Sequence, residues 1–147
     1  NDAPSAITRL IDMGIKPFLV ATSLQGIMAQ RLVRKICSQC KEPVVYSTEQ
    51  LSEMGFEAEV LKEAVFYKGK GCRLCNNIGY QGRLAIYELL DMNETLRDMT
   101  YHVAAANEIR KAARTQGMTT LKEDGLRKAK DGKTTLEEVF RITGIND

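Results

Sequence analysis

The chain of 147 residues contains one histidine, His102, and lacks the usual motifs of nucleotide-binding and hydrolytic sites. No G-x-x-x-x-G-K-[ST] or G-x-G-x-x-G segment is present that could surround a phosphate with backbone N–H groups. A lone histidine needs positioned partners to act as an acid or base, so we expect His102 to be solvated or to cap a helix. The sequence therefore shows no active site of its own.

Long apolar runs and a strong net charge are also absent. No run of 18 apolar residues and no N-terminal signal peptide is recognisable, which favours a reducing cytosolic environment. The 21 basic and 19 acidic residues leave a formal charge of +2, too weak for the long-range field typical of nucleic-acid binding. Because the chain starts at Asn1 and is predicted to enter a helix at once, we expect it to be part of a longer protein.

The cysteines are the most informative residues that are present. All four fall into a C-x2-C-x31-C-x2-C pattern, and two such loops can bring four thiolates to one tetrahedral ion: Cys37, Cys40, Cys72 and Cys75. Four thiolates leave no position for water or substrate, so such an ion would be structural and its affinity would contribute to folding. We predict a structural zinc site; two redox C-x-x-C pairs, two disulfides or an iron–sulfur site are the alternatives.

The hydrophobic pattern predicts a mixed α/β chain. We expect a helix capped by Asp2 and ended by Gly14, a second helix over residues 17–24, and a strand over 27–36 whose periodicity is also compatible with a helix. The β-rich triplets 44–46 and 65–67 are predicted to pair beneath the cysteine loops. An acidic helical insertion over 48–64 would separate them, and a strand over 84–90 would follow.

The last third of the sequence is predicted to be helical. Asn93 is a candidate helix cap, and a further helix with Ile109 on its apolar face is predicted to end at Gly117. Two sequences of the capping-box type, Thr120 with Glu123 and Thr135 with Glu138, predict the starts of two more helices.

Two binding functions are alternatives to a purely structural role of the cysteine segment. A zinc ribbon that binds nucleic acid would use the basic side chains near the cysteines, which are Arg34, Lys35, Lys41, Lys68, Lys70 and Arg73. These side chains can equally offset the charge of about −2 on a zinc ion with four thiolates. A protein docking module would instead use the acidic insertion, with Glu57 and Glu59 as its centre, to bind a basic partner.

Several segments together resemble one protein family. The chain is similar to the C-terminal part of the bacterial type II secretion and type IV pilus assembly ATPases, and the similar segments are Asn1-Asp2, Arg9–Leu19, Ala29–Cys37, Gly71–Arg83, Ile86–Leu89 and Gly117–Leu126. The resemblance covers most of the chain. The segment Ser23–Met28 favours the secretion type over the pilus-extension type.

The resemblance implies a fold and a larger assembly. It implies the rear part of a RecA-like ATPase core at residues 1–36, a tetracysteine zinc subdomain at 37–82, and a return strand with a C-terminal helical bundle at 83–147. The parent would be a hexameric ATPase that uses ATP and Mg²⁺, is cytoplasmic and is peripheral to the bacterial inner membrane. Its partners would be sister subunits and inner-membrane platform components, without nucleic acid or direct membrane insertion. This part of the parent should not hydrolyse ATP alone.

The resemblance also carries over to individual residues. The four cysteines match the metal ligands of the family, and Arg83 matches a position near the base and ribose of the bound nucleotide. A planar guanidinium stacks well on a base, so we expect Arg83 to bind nucleotide. Gln30 and Arg31 match a recurrent signature, for which support of a subunit contact is the expected role.

Overall fold

The computed structural model describes residues 2–144, in which helices and strands are mixed as predicted. No helix in this range combines the length and the apolar character needed to cross a membrane. In chain order the elements are α1 (Ala3–Asp12), α2 (Pro17–Ser23), β1 (Gly26–Ile36), β2 (Lys41–Val44), α3 (Thr48–Glu53), α4 (Ala58–Leu61), β3 (Phe66–Gly69), β4 (Tyr80–Asp91), α5 (Glu94–Tyr101), α6 (Ala106–Thr115), α7 (Leu121–Lys130) and α8 (Leu136–Thr143).

The strands form two separate pairs, β1 with β4 and β2 with β3. The strand predicted over residues 27–36 is confirmed as β1. The pairing predicted for the two β-rich triplets is confirmed in part: β2 and β3 are antiparallel with Val44 opposite Phe66 and Lys41 opposite Gly69, but Val45, Tyr46 and Val65 lie outside the strands. β2 starts earlier than predicted, directly after Cys40, so the strand pair begins at the cysteine loops.

The chain divides into two compact units, and β1 and β4 contribute residues to both. The first unit comprises residues up to 30 together with 87–121, and the second comprises 31–86 together with the residues after 121. Each unit has a hydrophobic core of its own. The first core contains Ala3, Ile7, Val20, Leu90, Met92, Leu96, Ile109 and Ala113; the second contains Tyr46, Leu51, Phe56, Leu61, Phe66, Ala129, Leu136 and Val139.

In the first unit a buried carboxylate holds two helix starts. The Glu88 side chain is buried in β4, and its two oxygens accept the N–H of Ala3 at 2.9 Å and the N–H of Leu121 at 3.0 Å. Both N–H groups belong to the first turn of a helix, where they have no partner within the helix and the helix dipole favours negative charge. Glu88 therefore fixes where α1 and α7 begin.

The predicted N-cap of α1 is confirmed. Asp2 accepts the Ser5 N–H at 3.1 Å and pairs with Arg110 of α6, whose Nε lies 2.8 Å from the carboxylate. Burial acts to raise the pKa of Asp2, but the hydrogen bonds from Ser5 and Arg110 outweigh it and lower the pKa below its usual value. The Asp2 carboxylate thus joins α1 to α6 within the first unit.

In the second unit the acidic insertion is two short helices. Gly55, with φ +75°, ends α3, and α4 follows after Phe56. Leu51, Phe56 and Leu61 point into the second core and leave the acidic side chains in solvent. The exposed acidic residues are Glu49, Glu53, Glu57, Glu59 and Glu63.

The predicted capping box at the start of α8 is only half formed. Thr135 is the N-cap, and its Oγ1 accepts the Glu138 N–H at 3.1 Å. The Glu138 carboxylate does not reach back to Thr135, because it binds Arg34 and Arg141. Burial would raise the pKa of Glu138, but the two guanidinium groups outweigh it and hold the pKa at about 2.

Within residues 2–144, five helices end in the same backbone motif, in which the residue just past the C-cap is left-handed. The N–H of this residue and that of the next one bond back to carbonyls of the last turn, which is the Schellman pattern. In four cases the left-handed residue is a glycine, namely Gly14, Gly55, Gly117 and Gly132. After α5, whose C-cap is the exposed His102 as predicted, it is Val103, with φ +56°.

A valine in this conformation is strained, which gives a prediction. A left-handed backbone costs an L-residue about 1–2 kcal/mol, and Val103 is half-exposed and packs little, so Val103→Gly should stabilise the protein by about 1 kcal/mol. The measurement is the free energy of unfolding in urea. The reciprocal control, Gly117→Val at the end of α6, should destabilise by a similar amount. A Val103→Gly variant less stable than the parent would contradict the assignment of strain.

Candidate metal centre

The structure brings all four cysteine sulfur atoms together. Each sulfur lies within 4.8 Å of the other three. Three of the separations are 3.7 Å between Cys37 and Cys72, 3.8 Å between Cys40 and Cys75, and 3.7 Å between Cys72 and Cys75. A tetrahedron with metal–sulfur bonds of about 2.3 Å has edges of about 3.8 Å. The sulfur atoms are thus spaced as the ligands of one tetrahedral ion.

The same distances exclude disulfides, one of the alternatives left open by the sequence. A disulfide joins two sulfur atoms at about 2.05 Å, and all four cysteines are free. Three of them are buried and Cys72 is partly exposed. Four sulfur ligands leave no open position on the ion for a substrate, so the arrangement suits a structural ion.

The two strand pairs place the ligands. Cys37 directly follows β1 and Cys40 directly precedes β2, whereas Cys72 and Cys75 lie in the loop from β3 to β4. Two backbone hydrogen bonds tie the loops to each other: the Cys37 N–H donates to the Gly79 carbonyl at 3.0 Å and the Lys70 N–H to the Cys40 carbonyl at 3.2 Å. Because β1 pairs with β4 and β2 with β3, the two cysteine loops must meet.

Backbone donors favour a thiolate at Cys75. The N–H groups of Cys72 and Gly79 both lie 3.3 Å from the Cys75 sulfur. Burial acts to raise the pKa of Cys75, but the two donors help to lower it to about 6, while burial raises the pKa of Cys40 to about 12. Four thiolates at this spacing repel each other, so only a cation can hold all four deprotonated. The donor set therefore fits a divalent ion such as zinc.

Two glycines allow the second cysteine loop to close. A Cβ on Gly69 would lie 2.1 Å from the Gly79 carbonyl oxygen, and a Cβ on Gly79 would lie 2.4 Å from the Gly69 carbonyl oxygen. Gly79 also has φ +82°, and Asn76 and Asn77 are left-handed at +55° and +63°. Asparagine tolerates this region better than most residues. The loop folds only because the backbones at Gly69 and Gly79 can cross in contact.

Half of the basic residues near the cysteines have partners within the chain. Arg34 lies over the Tyr80 ring at 4.1 Å, Lys41 donates to the Gly132 carbonyl at 3.3 Å, and Lys68 lies 3.9 Å from Glu42. The remaining three, Lys35, Lys70 and Arg73, are exposed. The first three side chains neutralise or cover neighbouring groups of the protein, which weakens the case for a continuous phosphate-binding track.

The other residues singled out from the sequence lie on the strands. Arg83 is exposed on β4, and its side chain has no hydrogen bond or ion pair within the part of the chain that the structure describes. Gln30 is exposed on β1 and Arg31 is half-buried beside it. In the sequence, the glycines at 69, 71, 79 and 82 indicate tight turns around the second cysteine pair, and the structure adds that the Gly79 N–H contacts a ligand sulfur.

Comparison with known proteins identifies the family of the chain. A family model described as "Type II/IV secretion system protein" matches residues 1–141. The chain is 46% identical over 143 residues to "Type IV pilus assembly ATPase PilB" of Thermus thermophilus, which covers 97% of the chain and 16% of that relative. It is 41% identical to "Type II secretion system ATPase E" of Vibrio cholerae, covering 97% and 28%. The chain thus spans well under a third of the length of these curated relatives.

The close crossing of Gly69 and Gly79 gives a prediction for metal binding. In Gly79→Ala the new methyl group would collide with the Gly69 carbonyl and displace the N–H that contacts Cys75, so zinc affinity should fall by about tenfold or more. The matched control is Gly117→Ala, because Gly117 is also left-handed but has no atom within 4 Å of an added Cβ. Competition with a chelator would measure both variants. Equal zinc affinity in the two would contradict the role of the crossing.

Proposed function

Because this chain belongs to the type II/IV secretion system protein family, we propose that it is the C-terminal zinc-binding portion of a hexameric motor ATPase. The proposal rests on one observation above all, namely four cysteine sulfurs spaced as the corners of a metal tetrahedron. The ion that these residues hold would be zinc, and it would supply a cross-link instead of a reaction centre.

Two systems are candidates for the parent motor, namely type II secretion and type IV pilus assembly. The segment Ser23–Met28 favours type II secretion by its resemblance to that type. Relatives named as pilus assembly ATPases, among them those of Thermus thermophilus and Myxococcus xanthus, are 39–46% identical to the chain. Relatives named for type II secretion are 40–43% identical, so the identities support both candidates alike.

Catalysis in such a parent would lie outside this chain. The sequence has no phosphate-binding loop, so ATP and Mg²⁺ would be bound mainly by parts that the chain does not contain. Residues 1–36 would complete a RecA-like core, residues 37–82 would form the metal subdomain, and residues 83–147 would supply a return strand and a helical bundle. The parent would be cytoplasmic and would contact sister subunits and an inner-membrane platform.

The metal subdomain would act as a rigid handle of the motor. The cysteine loops lie between β1 and β4 in the sequence, so a displacement of these strands would reach them directly. A segment clamped by a tetrahedral ion keeps its shape under load, whereas a flexible loop would absorb the movement. The ion would therefore transmit motion produced by ATP turnover elsewhere in the hexamer.

Removal of two ligands tests the handle. The chain should contain about one zinc per molecule by elemental analysis, and the double substitution Cys72→Ser with Cys75→Ser should abolish this binding. In the full-length protein the same substitution should abolish secretion or pilus assembly. Normal export by a motor that has lost its zinc would rule out the handle.

A separate prediction concerns Arg83, which we propose binds the base or ribose of the nucleotide. Arg83→Ala in the full-length protein should raise the KM for ATP by about three- to tenfold, since a cation over an aromatic ring contributes about 0.5–2 kcal/mol. Arg83→Lys should give a smaller rise because it keeps the charge and loses the planar group. The exposed Arg73→Ala is the control, and an unchanged KM in Arg83→Ala would remove Arg83 from the nucleotide site.

A further inference from the structure

The end of β1 that carries Cys37 is held by α8. The backbone N–H of Arg34 donates to Glu138 Oε2 at 2.8 Å, and the Arg34 guanidinium donates to Glu138 Oε1 from Nε at 3.0 Å and from Nη2 at 2.8 Å. Three hydrogen bonds thus join one carboxylate to one residue of the strand. Arg34 lies three residues before Cys37, the first cysteine of the metal centre.

The loop before α8 holds the same stretch of backbone. The Thr134 hydroxyl donates to the Arg34 carbonyl at 2.8 Å, and the Ile36 N–H donates to the Lys133 carbonyl at 3.1 Å. On the other side, the Cys37 N–H donates to the Gly79 carbonyl at 3.0 Å. The backbone from Arg34 to Cys37 is therefore fixed from both sides, by residues 133–138 and by the second cysteine loop.

Tyr80 connects Arg34 to the start of α8 by a second route. The Arg34 guanidinium lies 4.1 Å from the centre of the Tyr80 ring, and the Tyr80 hydroxyl lies 2.8 Å from Thr135 Oγ1. Thr135 in turn caps the helix that carries Glu138. The Glu138 side chain is 1% exposed and also binds Arg141, so its position is set by packing as well as by charge.

We propose that Glu138 is a positioning residue of the metal centre, holding the end of β1 so that the Cys37 sulfur meets the other three at metal-binding distance. It touches no ligand atom and acts through Arg34 and the backbone that leads to Cys37. By thermodynamic reciprocity, metal binding must in turn favour the docking of α8 on β1. This inference rests on the proposed zinc site and adds a residue far from it in sequence.

The test compares two neighbouring substitutions on α8. Glu138→Gln keeps the shape of the side chain but weakens its hold on Arg34, whereas Glu137→Gln removes the same charge from a residue that accepts the Tyr46 hydroxyl at 2.8 Å. The measurements are the rate of zinc release to a chelator and the cobalt(II)–thiolate absorption spectrum, on chains shown to be folded by circular dichroism. Glu138→Gln should release zinc about tenfold faster or more, and Glu137→Gln should behave like the parent.

Further variants separate positioning from a general loss of stability. Val139→Ala opens a cavity in the second core, which contains no residue of β1, so it should lower stability and leave zinc release unchanged. If Glu138→Gln does not fold, Arg34→Lys serves in its place, because lysine keeps the charge but cannot form the paired bonds. Equal acceleration by Val139→Ala would overturn the proposal.

The outcomes distinguish this inference from the zinc site itself. If the parent chain holds about one zinc and folded Glu138→Gln releases it at the parental rate, only the positioning role fails. If the parent chain binds no zinc, the metal centre and the positioning role fail together. Faster release from Glu138→Gln or from Arg34→Lys, with parental release from Glu137→Gln and Val139→Ala, is the result that supports it.

Discussion

The convergence of four sulfur atoms is the constraint on which the cysteine segment depends. Thiolates at separations of 3.7–3.8 Å repel one another, so a cation has to offset their charge for the loops to remain closed. The surrounding structure allows this contact. The two strand pairs place the cysteine loops next to each other, and the lack of side chains at Gly69 and Gly79 lets the backbone at these two residues come into contact. A site of this kind stabilises a shape, and it leaves no ligand position for chemistry.

This constraint suits a chain that belongs to the type II/IV secretion system protein family and whose sequence contains no phosphate-binding loop. The match covers nearly the whole chain but no more than 28% of the relatives described above, so most of each relative lies outside the matched part. In our account the ATP-driven movement arises elsewhere, and the cysteine segment carries it through β1 and β4. Stiffness, to which the ion and the contacts of Arg34 with Glu138 would contribute, is then the property that this part has to supply.

Sequence reasoning worked where the interactions are local. Neighbouring residues in the sequence predicted the caps at Asp2, Asn93 and Thr135 and the strands that flank the cysteine loops. The structure confirms each of them. The capping box of Ser47 with Gln50 was equally predictable and was overlooked.

The roles of Glu88 and Glu138 could not be predicted from the sequence, because their partners Ala3 and Arg34 lie 85 and 104 residues away. The strain at Val103 likewise could not be predicted, because only the folded backbone shows that this position is left-handed and favours glycine.

X-ray absorption spectroscopy on the purified chain tests the central claim most directly. The account predicts a zinc edge whose first shell consists of four sulfur atoms at about 2.3 Å, with no oxygen or nitrogen ligand. A shell that contains light atoms, or a folded chain without metal whose four thiols react freely, would contradict it.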